Sequence, residues 1–175
     1  MNKKGYTLLE MMIVVAIISI LSTVGMNSLK GRAEKRALLS MSTKIPMFLE
    51  NLRDKSYDTG KRYSLKFRLD ENKIYVLEYK MEELKDSISE LNLSKYLLYE
   101  DNTEKKQFER DTTPKGNYSN GFSVIIFDQK RERVLKRISI STGTDGVDYA
   151  MVNSYKPKTS LTLSNYKESN KWEKE

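Results

Sequence analysis

An α+β fold, with one long N-terminal helix laid against a small antiparallel sheet, is predicted by three features of this 175-residue sequence. Residues 11–29 carry no charged side chain, and apolar residues at helical spacing continue beyond them to about residue 60. "YSLKFRL" and "IYVLEYK" alternate apolar and polar residues on either side of a polar "DENK". Two later runs, "FSVIIFD" and "RVLKRISIS", are short and rich in β-branched residues.

The first stretch reads as a membrane-spanning helix. Its uncharged run of roughly 19 residues would be about 28 Å long, close to the hydrocarbon thickness of a bilayer. Lys3 and Lys4 precede it, and by the positive-inside rule they keep the N-terminus in the cytoplasm and send the rest across. Past Lys30 the helix becomes amphipathic. Leu38, Met41, Ile45, Phe48 and Leu52 share one face, while Arg32, Glu34, Lys35, Arg36 and Lys44 lie largely elsewhere. Pro46 removes a backbone donor, so a kink or short break is expected near Ser42 to Ile45. The helix should end at "SYDTG", where Gly60 suits a left-handed terminating residue.

The hairpin over residues 63–80 follows. Met81, Leu84, Ile88 and Leu91 then recur at helical spacing and predict a short helix, with "KYLLYE" a strand after it. Residues 101–121 are polar and contain Pro114, Gly116 and Gly121, the composition of an exposed functional loop or a disordered one. Gly143 and Gly146 bracket a turn before "VDYAMV", and from Asn153 onward the polar, lysine-rich composition predicts poor order.

Composition narrows the chemistry. The chain has neither cysteine nor histidine, which excludes disulfides, the commonest zinc sites and the Ser-His and Cys-His nucleophile pairs. No constellation of carboxylates suggests acid–base catalysis, and nothing calls for a cofactor. The net charge of +7 is mild, and Lys3 and Lys4 contribute two of it. "KRERVLKR" gathers Lys130, Arg131, Arg133, Lys136 and Arg137 around one hairpin, the candidate nucleic-acid contact. It lacks interleaved aromatics, and a charged edge that resists pairing with other strands accounts for it as well.

The sharper question is why Glu10 stands just inside an apolar span, where a carboxylate costs up to a few kcal/mol. A secretory signal would need a small-x-small cleavage site after the run, which "SILSTVGMNS" does not supply, and a plain anchor leaves Glu10 unexplained. "KKGYTLLEMMIVVAIISIL" as a whole resembles the N-terminus of type IV prepilins and of type II secretion pseudopilins. In that family a short basic leader ends in glycine ahead of the apolar run, and a prepilin peptidase cuts after the glycine and methylates the new amine. The resemblance implies cleavage between Gly5 and Tyr6, methylation of Tyr6, and an assembly role for Glu10 as the acidic residue in the fifth mature place. An amine and a carboxylate on neighbouring subunits would neutralise each other in a low-dielectric setting.

The resemblance further implies a pilin-like fold. It divides the chain into a leader (1–5), a transmembrane and filament-core half-helix (6–29), an amphipathic half-helix (30–60), a β-rich head (61–152) and a polar tail (153–175). The head is loosely similar to H-type pseudopilins and minor pilins. The function implied is that of a minor pilin or pseudopilin of a type IV pilus, a competence pilus or a type II secretion pseudopilus, a substrate of enzymes and not an enzyme. The implied partners are prepilin peptidase, other pilins or pseudopilins, and the inner-membrane assembly platform with its ATPase. The implied location is the cytoplasmic membrane as a single pass with the head outside, then the filament. Two departures stand out: Tyr6 where phenylalanine is commoner, and Gly25 where many major pilins have a proline that loosens the span. Some pseudopilins hold calcium in a loop, and Asp145 and Asp148 of "GTDGVD" would be the candidates here, but the spacing departs from an EF-hand and Asp145 and Gly146 read as turn residues. The alternative of another class is a single-pass anchored DNA-binding receptor, with the helix only a tether.

Overall fold

The computed structural model describes residues 7–80, 83–142, 150–161 and 163–175, with the backbone alone described at 23–28, 80 and 83–86. The chain divides into two compact units, Met1–Arg36 and Ala37–Glu175. Helix α1, Leu8–Thr59, contributes to both.

In the first unit the side chains of α1 from Leu8 to Ser22 are mostly apolar and, among the described residues, without tertiary cover. Leu8, Leu9, Met11, Met12, Ile13, Val15, Ile17, Ile18 and Leu21 are each more than half exposed. Past Glu10, the hydroxyls of Ser19 and Ser22 donate to the carbonyls of Val15 and Ile18 at 2.8 and 2.7 Å. Their hydrogen bonds are therefore met inside the helix, as an apolar surrounding requires. Among the described residues no helix is long and apolar enough to cross a membrane; within the uncharged run the side chains of 23–28 are not among those described.

In the second unit α1 buries Ala37, Met41, Ile45, Leu49 and Leu52 in one core with residues of two sheets. Ile45 and Leu49 are wholly buried, each such side chain contributing roughly 1.5–3 kcal/mol. The expected break at Pro46 does not occur, since α1 runs through it. Burial on either side of Pro46 offsets the lost backbone bond, which in an exposed helix would cost about 3 kcal/mol. Gly60 ends the helix at φ +62 as expected.

Among the described residues the head holds ten strands in two antiparallel sheets, where one small sheet was expected. The first has the order β3-β2-β1-β5-β6 and the second β10-β9-β8-β7-β4. The hairpin forms as predicted from β1 (Tyr63–Arg68) and β2 (Lys73–Lys80), with Leu65 opposite Val76 and Asn72 at φ +57 in the turn. β4 (Leu97–Asp101), β7 (Phe122–Asp128) and β8 (Val134–Ser141) also fall where the sequence placed strands.

Three expectations are overturned. The segment expected to be a helix is β3, Glu83–Asn92, with Leu91 opposite Ile74 on β2. Spacings of three and four suit either element over a short stretch, and the open backbone edge of β2 decides. The polar segment 101–121 is not a loop. It contains β5 (Gln107–Thr113), paired with β1, and β6 (Asn117–Tyr118). Phe108 anchors it, stacked on Phe67 at 4.2 Å between ring centres, with Phe122 edge-on to both.

The third correction concerns the tail. β9 (Met151–Pro157) runs across the expected boundary at residue 153, a short 3-10 helix covers Ser169–Lys171, and β10 (Trp172–Lys174) pairs back on β9. Leu161, Tyr166 and Trp172 are buried against Ile125, Phe127 and Val134, forming a second, smaller core on the sheet face opposite the helix. The Trp172 indole donates to the Tyr166 carbonyl at 2.7 Å. The turn expected at 143–148 lies outside the described residues, apart from the strand that follows it.

Polar groups fasten the end of α1 to the first sheet. Ser56, with no exposed surface, is within hydrogen-bond distance of the Lys61 carbonyl, the Thr112 hydroxyl and the Thr113 carbonyl at 2.6, 3.0 and 2.8 Å. Tyr118 donates to the Leu49 carbonyl at 2.7 Å, and burial pushes its phenol well above the usual range.

Candidate functional site

Residues 7–10, "TLLE", start the helix by a reciprocal arrangement of side chains. The Met11 N–H donates to the Thr7 carbonyl, which makes Thr7 the residue that caps α1. The Glu10 N–H donates to the Thr7 hydroxyl at 3.2 Å. Glu10 answers with Oε2, which accepts the Thr7 N–H at 2.8 Å and the Thr7 hydroxyl at 3.1 Å. This is a capping box, in which two backbone donors of the first turn are satisfied at once, and the negative carboxylate also faces the positive end of the helix dipole. The signal, Thr followed three residues on by Glu ahead of an apolar run, was present in the sequence, where Glu10 had been considered only as a charge.

The cap uses one carboxylate oxygen. Oε1 has no hydrogen-bond partner among the described residues, and Glu10 is exposed, flanked by the exposed apolar side chains of Met11, Ile13 and Val14. Glu10 can therefore hold the helix start and still offer an oxygen to a cation from outside the chain. Gly5 and Tyr6 lie outside the described residues.

The basic group at 130–137 is mostly paired within the head. Arg131 donates to Glu100 at 2.7 Å, and that carboxylate is almost fully buried. Arg133 meets Asp128 at 3.2 Å, Lys136 pairs with Glu175, and Arg137 donates to the Ser123 hydroxyl at 3.3 Å. Lys130 has no partner among the described residues. Asp128 organises the turn. Burial alone would raise its pKa, but the backbone N–H groups of Arg133 and Glu132, together with the Arg133 side chain, hold it below the ordinary aspartate value. Arg131 occupies the left-handed region at φ +58, a conformation fixed by its bonds to Glu100 and to the Asp128 carbonyl. The sequence placed these five residues together correctly, but could not reveal acidic partners that come from β4, the end of β7 and the C-terminus.

Among the described residues no group of three or more acidic side chains could hold a metal ion. Asp145 and Asp148 lie outside them.

Residues 1–26 match the family pattern described as the prokaryotic N-terminal methylation motif. No curated protein matches the chain. Among solved structures, the minor pseudopilin EpsH of the type 2 secretion system of Vibrio cholerae is similar at a TM-score of 0.51 and 12% identity, over 66% of this chain and 94% of that one. The type IV minor pilin FimU of Pseudomonas aeruginosa (strain PAO1) is similar at a TM-score of 0.48 and 13% identity, over 67% of this chain and 95% of that one. The chain thus opens with the N-terminal methylation motif found on prepilin-like proteins, and it has a pilin-like fold.

Proposed function

We propose that this chain is a prepilin-like structural subunit, a minor pilin or pseudopilin, cleaved after Gly5, methylated on Tyr6 and built into a filament through Glu10. The observation that carries the reading is the position of the motif. The threonine and glutamate of the motif cap a helix whose apolar side chains from Leu8 to Leu21 have no cover among the described residues. Such a surface calls for a bilayer at first and for other apolar helices later.

In this reading the new amine at Tyr6 belongs to one subunit and Oε1 of Glu10 to its neighbour. Each charge is costly alone in a low-dielectric surrounding and much less so when paired, so the pair sets the axial register. The partners are prepilin peptidase, other pilins or pseudopilins, and an inner-membrane platform with its ATPase. Before assembly the chain sits in the cytoplasmic membrane with its N-terminus inside and its head outside. That orientation rests on the leader preceding the span, because flanking charge does not favour it: Lys3 and Lys4 stand on one side, Lys30, Arg32, Lys35 and Arg36 on the other.

Among the described residues, intrachain carboxylates pair with three of the five basic groups at 130–137, which weighs against a tethered DNA receptor. The two readings separate by mutation. Glu10→Ala should abolish incorporation into filaments while leaving the amount of processed protein unchanged. Lys130→Gln, a change at a side chain with no partner among the described residues, combined with Arg137→Gln should leave incorporation intact, and loss of DNA binding in that variant alone would favour the receptor.

A further inference from the structure

Directly past the uncharged run, α1 carries Lys30, Arg32, Lys35 and Arg36, with Glu34 the one acidic residue among them. All four basic side chains are exposed, and none has an ion-pair or hydrogen-bond partner among the described residues. In the second unit Lys61, Lys66, Lys73, Arg131, Arg133, Lys136 and Lys167 meet carboxylates, while others such as Lys44, Lys106, Lys115 and Lys130 do not among the described residues; what distinguishes the four is their clustering on one helix directly past the apolar run. Their axial placement is also specific. From Lys30 to Arg36 the helix rises about 9 Å, comparable to the roughly 5–8 Å headgroup layer that borders the hydrocarbon core on each side. Arg32, Lys35 and Arg36 share a face at spacings of three and four, and Lys30 has a stem long enough to reach outward from the apolar boundary.

We propose that these four residues bind the anionic headgroups of acidic phospholipids in the leaflet at the C-terminal end of the span, an inference that rests on the membrane reading above. Unpaired cations at headgroup depth are attracted to anionic phosphates, each Lys or Arg contributing about fivefold in affinity near such a surface. Removal of the leader takes Lys3 and Lys4 with it, so the mature subunit carries its basic flank entirely on this side. The cluster then holds the inserted subunit at a fixed depth, and those lipids must be released when the helix leaves the bilayer.

The test uses the full chain in mixed micelles holding equal amounts of phosphatidylglycerol and phosphatidylcholine, with lipids retained on the protein counted by native mass spectrometry. The chain should retain phosphatidylglycerol over phosphatidylcholine by roughly fivefold or more. The preference should fall severalfold in a variant combining Lys30→Gln, Arg32→Gln, Lys35→Gln and Arg36→Gln, with Lys3 and Lys4 of the full chain accounting for what remains. Equal retention by the unaltered chain, or an unchanged preference in the variant, overturns the inference. An unchanged preference together with lost filament incorporation would assign the cluster to acidic side chains of a neighbouring subunit instead. Resistance to alkaline extraction from vesicles separates the two levels of the argument. Integration into both phosphatidylcholine and mixed vesicles without headgroup preference overturns this inference alone, whereas failure to integrate into either overturns the span as well.

Discussion

Glu10 holds Thr7 with Oε2 and leaves Oε1 unengaged among the described residues, so its cap and its charge can be tested apart. Glutamine at this position can still cap but cannot neutralise an amine. Glu10→Gln should therefore lose filament incorporation as fully as Glu10→Ala, measured by the share of processed subunit in sheared filaments. Thr7→Ala should weaken only the helix start, by about 1 kcal/mol, and retain most incorporation. If Glu10→Gln assembles normally, the cap and not the charge is what assembly needs. Asp128 gives a second test, now of stability. Its folded pKa lies below the ordinary value of 3.8, so as pH falls the unfolded chain takes up this proton first and the head loses stability as pH drops through the folded value. Asp128→Asn should destabilise the head by about 1–3 kcal/mol at neutral pH and reduce the slope of stability against pH below about 4, as read by urea unfolding. A slope unchanged by the substitution would remove Asp128 from the account.

Among the elements, the C-terminal segment gives a testable claim on stability, because it covers a sheet face that would otherwise be open. Trp172→Ala should cost about 3–5 kcal/mol in urea unfolding, and removal of residues 158–175 should cost more by uncovering Ile125, Phe127 and Val134. A truncated head as stable as the full one would show that the small core contributes nothing. A clue to this cover stood in the sequence. "FSVIIFD" does not alternate, and β7 is buried at every position, with Val124 and Ile126 in the main core and Ile125 and Phe127 in the small one. An unbroken apolar strand needs cover on both faces. The polar composition after Asn153 hid the cover, since three widely separated residues, Leu161, Tyr166 and Trp172, supply it. β5 was hidden for a similar reason. Its contribution comes from one aromatic, Phe108, and from the Thr112 hydroxyl that accepts the Tyr63 N–H at 2.9 Å, and neither forms a pattern over several residues. α1 and the β1–β2 hairpin were legible because their signals are periodic and local: Met41, Ile45 and Leu52 repeat at helical spacing, and Tyr63, Leu65 and Phe67 at a spacing of two.

For the molecule as a whole, the methylation motif is confined to one end, while the contacts that build the head are spread along the rest of the chain. The processing and assembly set proposed for Gly5, Tyr6 and Glu10 rests on a short linear stretch, the kind of signal a sequence carries openly. The pairing of Arg131 with Glu100 was not readable, because it joins residues far apart in sequence across a folded sheet. The central claim, that this chain is a prepilin-like subunit, concerns a covalent change at its N-terminus and is tested there most directly. The decisive measurement is the intact mass of the protein extracted from its own membranes, with the terminus sequenced by fragmentation. The account predicts a chain that begins at Tyr6 and carries one methyl group on its amine. A chain that still begins at Met1 in a cell with active prepilin peptidase would contradict it.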